Sequence, residues 1–73
     1  MDIKSYDANI TCFILDDEQD AIDRLEILIN KISVLEVLGK ETDPERAVLS
    51  MPYLKPEVVF MDIVMAKKNQ GLK

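Results

Sequence analysis

The chain has 73 residues, 48% of them apolar and 32% charged, with a formal net charge of −5. That length allows one small domain, the balance is globular rather than disordered, and no apolar run reaches the roughly 18 residues of a membrane span. The negative sum argues against gripping a nucleic-acid backbone, the lack of histidine excludes every His-based triad, and the single cysteine, Cys12, excludes an internal disulfide.

Residues 1–9 are polar and predict a flexible lead-in, without the basic-then-apolar layout of a secretory signal. The run "ITCFIL", Ile10 to Leu15, is almost wholly apolar and does not alternate, which predicts a strand buried on both faces of a parallel sheet. Cys12 falls inside it as a small buried hydrophobe. From Glu18 to about Ile32, apolar residues at Ala21, Ile22, Leu25, Leu28, Ile29 and Ile32 predict a helix with one buried stripe. Asp17 is the expected N-cap of that helix, with Asp20 in its first turn.

The segment "VLEVLG", Val34 to Gly39, reads as a second strand closed by Gly39. In "TDPERAVLSM", Thr42 or Asp43 would cap a second helix that Pro44 begins and that Pro52 limits to a few turns. Pro56 marks a turn, and Val58 to Met61 form a third strand ending at Asp62. The tail from Ile63 reads as a loop, with Gly71 a candidate start for another element.

The order β-α-β-α-β predicts an α/β fold with a doubly wound parallel sheet. Ligands of such sheets sit beyond the carboxyl ends of the strands. If the first and third strands are neighbours, Asp16, Asp17 and Asp62 meet on one rim. Carboxylates brought together raise one another's pKa unless a divalent cation sits among them. Oxygen ligands with open water positions suit Mg²⁺, and a carboxylate beside that ion can act as a nucleophile toward phosphorus. Taken singly, each acid has a plainer reading: a helix cap for the Asp16–Asp17 pair and a turn residue for Asp62.

The stretches "FILDDE", Phe13 to Glu18, and "PEVVFMDIVM", Pro56 to Met65, at about this separation, resemble the N-terminal part of a receiver domain of a two-component response regulator. The run "LDDEQDAIDRLEILI" is similar to receivers joined to LytTR-type DNA-binding domains. The resemblance implies a flavodoxin-like sheet of order 2-1-3-4-5, of which this chain would supply 2-1-3. It implies that Asp62 is the phosphoacceptor for a sensor histidine kinase. Asp17 would be a direct Mg²⁺ ligand, Asp16 would act on the metal mainly through water, and the backbone carbonyl of Val64 would be a further ligand. The chain would then be a cytoplasmic signalling module rather than an enzyme, serving transcription through an output domain outside these residues.

The pattern departs from the family in three respects. Ala66 stands where the family usually has proline, and Gly71 comes one residue late. The resemblance covers roughly residues 10–72, the first half or so of the family domain, without the later Ser/Thr and Lys that contact the phosphoryl group. Lys67 and Lys68 read as solvated loop lysines rather than substitutes for that lysine. As a partial receiver the segment is expected to expose a strand edge and to self-associate. A pseudo-receiver that binds partners without phosphorylation is the alternative. A different Mg²⁺-dependent phosphotransfer enzyme on a similar sheet fits less well, because the acids are adjacent at Asp16–Asp17.

Overall fold

The computed structural model describes residues 9–62. Its elements are β1 (Ile10–Leu15), α1 (Gln19–Ile29), β2 (Leu35–Glu41), α2 (Pro44–Leu54) and β3 (Val58–Met61). The three strands form one parallel sheet in the order β2-β1-β3, an open α/β arrangement of the flavodoxin-like kind. Placing the most apolar strand in the middle follows from its composition. Only a central strand has both faces and both edges covered, so the uninterrupted run of β1 finds its best burial there.

Alternate residues of β1 supply two cores. Cys12 and Ile14 pack with Ile22 and Ile29 of α1, backed by Leu25, Leu35, Val37 and Phe60. Phe13 and Leu15 pack with Ala47 of α2, backed by Met51. No helix among the described residues is long and apolar enough to cross a membrane.

Three local expectations are corrected. First, α1 ends at Ile29, with Ile32 outside it, and Leu28 is 57% exposed. At about 100° per residue, Leu28 lies roughly 120° around the helix from Ile22, so it is off the stripe that Ile22, Leu25 and Ile29 define. Second, Gly39 lies inside β2 rather than closing it. The register against β1 skips Leu38, passing from the pair Cys12–Val37 to Phe13–Gly39, which is a bulge. The glycine is there for close approach: a Cβ on Gly39 would lie 2.9 Å from Leu54 Cδ1 and 2.9 Å from Phe13 Cε2. Third, the N-cap of α1 is Glu18, not Asp17, and it makes no side-chain cap hydrogen bond.

The second helix begins as its sequence predicts. Asp43 is the N-cap, its carboxylate accepts from the Glu45 N–H at 3.0 Å, and Pro44 opens the helix. Pro52 sits inside its last turn, and the chain leaves through Lys55 in the left-handed region at φ 51°.

Candidate metal centre

The site is built by the ends of two neighbouring strands. Leu15 of β1 pairs with Met61 of β3 as the last pair of that ladder. The next residues on the two strands are Asp16 and Asp62. The backbone N–H of Asp62 donates to the Leu15 carbonyl at 3.4 Å, and that of Asp16 to the Glu41 carbonyl at 3.2 Å. Parallel neighbours lie about 4.8 Å apart, so residues leaving adjacent strands at the same level emerge side by side.

Asp16, Asp17 and Asp62 each place a carboxylate oxygen within 4.8 Å of the other two. Asp16 and Asp62 are half-buried and Asp17 is exposed. Among the described residues this is the one group of three such side chains gathered closely enough to share an ion. A cleft of about 210 Å³ adjoins the cluster, lined by Asp16 and Asp62 together with Leu25 and Phe60.

Neither acid of the pair is the N-cap residue of α1, which is Glu18. Asp16 Oδ1 accepts from the Glu18 N–H at 3.0 Å, a turn that precedes α1, and the helix itself starts at Gln19 behind Glu18. The turn fixes the direction in which the chain leaves β1, and the clustering with Asp62 is additional to it. Clustered carboxylate oxygens are the donor set a hard divalent cation selects. The residues therefore fit Mg²⁺ by donor chemistry and by proximity.

Val64, Met65, Ala66, Lys67, Lys68 and Gly71, which the sequence singled out, lie outside the described residues, as does the lead-in up to residue 8. Glu57 was missed. It sits at the opposite end of β3 and bonds to Thr11, 46 residues earlier. Nothing in a local pattern pairs two residues so far apart.

A parallel sheet with the apolar strand central and acids gathered on its carboxyl rim defines a class of protein, the flavodoxin-like α/β modules that receive ligands at that rim. Comparison with known proteins narrows the class. The chain is 36% identical over 56 residues to an uncharacterized response regulatory protein of Vibrio parahaemolyticus serotype O3:K6, a match covering 77% of this chain. The same match spans 23% of the length of that relative. No family model matches the chain, and no solved structure matches it. Fold and relative together support a receiver domain of a response regulator for this chain.

Proposed function

We propose that the chain is a phosphoacceptor receiver module, in which Asp62 takes a phosphoryl group from a sensor histidine kinase at a site held by Mg²⁺. The observation that carries this reading is the gathering of Asp16, Asp17 and Asp62 oxygens within 4.8 Å of one another at the ends of adjacent strands. In this reading Asp16, Asp17 and Asp62 would hold the cation, and the carboxylate of Asp62 would also be the group that meets phosphorus. Bound there, Mg²⁺ would supply positive charge against the oxygens of an incoming phosphoryl group. A carboxylate oxygen of Asp62 forms the new P–O bond as the P–N bond of the donor phosphohistidine breaks, giving an aspartyl-phosphate. The added charge then biases surfaces beyond the site, and by resemblance the output is transcriptional.

The test is phosphoryl uptake from a small-molecule phosphodonor. The protein is expected to take up one phosphoryl group only with Mg²⁺ present, and Asp62→Asn is expected to take up none. Asp16→Asn is expected to weaken Mg²⁺ binding and to slow uptake. Labelling that persists in Asp62→Asn rules out the assignment. Failure of the unaltered protein to bind Mg²⁺ or to be labelled leaves a partner-binding module without phosphotransfer.

A further inference from the structure

The three acids are held by strands of very different security. β1 carries Asp16 and Asp17 from the middle of the sheet, whereas Asp62 hangs on β3, which is four residues long. Among the described residues, β3 pairs only with β1. Its sequence, Val58-Val59-Phe60-Met61, is apolar at every position. A strand specifies its register when alternate residues differ, because a wrong alignment then exposes an apolar side chain or buries a polar one. Here that signal is weak. Phe60 packs against the α1-side core, but a slip of two residues would put Val58 there instead, still apolar.

Such a slip would be fatal to the site. Two residues along a strand are about 6.6 Å, which exceeds the 4.8 Å within which the acid oxygens now lie. Some other feature has to fix where β3 starts.

The feature lies at the entry to the strand. Glu57, the residue before Val58, is bound to Thr11 of β1 through both backbone and side chain. Its N–H donates to the Thr11 carbonyl at 3.1 Å and lies 3.1 Å from Thr11 Oγ1. Its Oε1 accepts from the Thr11 N–H at 3.0 Å, with the Thr11 hydroxyl at 3.5 Å. The side chain of Glu57 thus stands in for a ladder partner of Thr11, in an arrangement that only the observed alignment allows. That slip would bring Lys55, a side chain with no acceptor, opposite Thr11 and leave the Thr11 N–H without its carboxylate.

We propose that the Thr11–Glu57 pair is a register lock, and that it positions Asp62 against Asp16 and Asp17. The proposal rests on the cation reading above and adds a positioning residue to it. If slipped alignments become populated, the apparent affinity for the cation falls in proportion to the fraction of chains in the competent register. Glu57 acts through alignment and not through charge. Five residues of strand put it about 16 Å from Asp62, beyond the roughly 8–10 Å over which exposed charges are felt at ordinary salt.

The test is Mg²⁺ titration by calorimetry on the full chain, at a temperature where circular dichroism shows each variant folded. Losing the side-chain bonds in Glu57→Ala is expected to weaken Mg²⁺ binding roughly three- to tenfold. Glu57→Gln, whose amide oxygen can still accept from Thr11, should bind within about twofold of the unaltered chain. Thr11→Val, which keeps shape but removes the hydroxyl, should fall between the two, and it decides the matter if Glu57→Ala does not fold. A merely structural pair would lower the melting temperature while leaving the affinity of the folded chain unchanged. Unchanged affinity in folded Glu57→Ala, or in Thr11→Val where that variant decides, overturns the proposal, and so does a Gln variant as weak as the Ala one. If the unaltered chain takes up no Mg²⁺, the cation reading itself falls and this proposal with it.

Discussion

β1 and β3 are adjacent, parallel and nearly equal in apolar character, yet their fates in the fold differ. Cys12, Phe13, Ile14 and Leu15 of β1 are all at most 4% exposed. In β3, Val58 is 38% exposed, Val59 37% and Met61 46%. Composition gives a strand its propensity, but position in the sheet decides how much water it loses. The candidate site straddles this divide, with Asp16 and Asp17 anchored to the part of the molecule that holds most firmly and Asp62 to the part that holds least.

The difference can be broken most directly at the core. Ile14→Ala is expected to cost on the order of 2–5 kcal/mol, comparable with the whole stability of so small a domain, and to abolish the cooperative urea transition. The milder Ile14→Val should cost about 1 kcal/mol and shift the midpoint measurably. Val59→Ala, the matched change on β3, should cost less than about 1 kcal/mol, since much of that side chain is already in water. Equal losses at the two positions would mean that the strands are equally buried in solution.

Gly39 sharpens the same contrast from the other side of β1. Adding a methyl group in Gly39→Ala forces the Phe13 ring or Leu54 to move, at an expected cost of about 1–3 kcal/mol. Since Phe13 lies in the core against α2, the loss should appear in global unfolding and not as local fraying. Amide exchange would separate the two outcomes.

The helix starts form a second, smaller pair. Asp43→Ala removes a side-chain cap from α2 and should cost about 1 kcal/mol by thermal or chemical unfolding. Glu18→Ala removes nothing of the kind from α1 and should cost only a few tenths of that. A large effect at Glu18 would show that its side chain does more for the entry to α1 than its capping geometry indicates.

What could be read from the sequence followed the same divide. "ITCFIL" announces a doubly buried strand because every residue in it must lose water, and the structure puts it at the centre. Pro44 behind Asp43 fixes a helix start through chemistry confined to a few residues. The approach of Asp62 to Asp16 and Asp17 was legible because strand ends and sheet order suffice to place them. The features that escaped depend on distant partners. Gly39 reads as a stop until Leu54 and Phe13 are seen against it, and the value of Glu57 depends on Thr11 being its neighbour. The exposure of Leu28 was in principle readable, since a stripe through Ile22 and Ile29 already excludes it, but an apolar residue next to a core residue invites inclusion.

The last expected effect belongs to Cys12, the side chain among the described residues for which a protonation shift follows from the fold. Burial in the α1-side core pushes its thiol above the ordinary value of 9.0, because the thiolate would lose its hydration there. The folded chain therefore holds this proton more tightly than the unfolded chain does. The stabilisation is complete below the unfolded pKa and is lost as pH rises from there toward the raised folded value. As pH rises above about 9 the loss is to be read as the difference in alkaline slope between the unaltered chain and Cys12→Ala. Subtracting the variant removes the titration of tyrosines and lysines common to both. A parallel pair of slopes would mean that the thiol ionises equally well in the folded chain, which a side chain at 0% exposure packed in the apolar α1-side core does not permit unless β1 opens. The alkaline slope thus measures, on the most secure strand of the molecule, how rarely the sheet admits water.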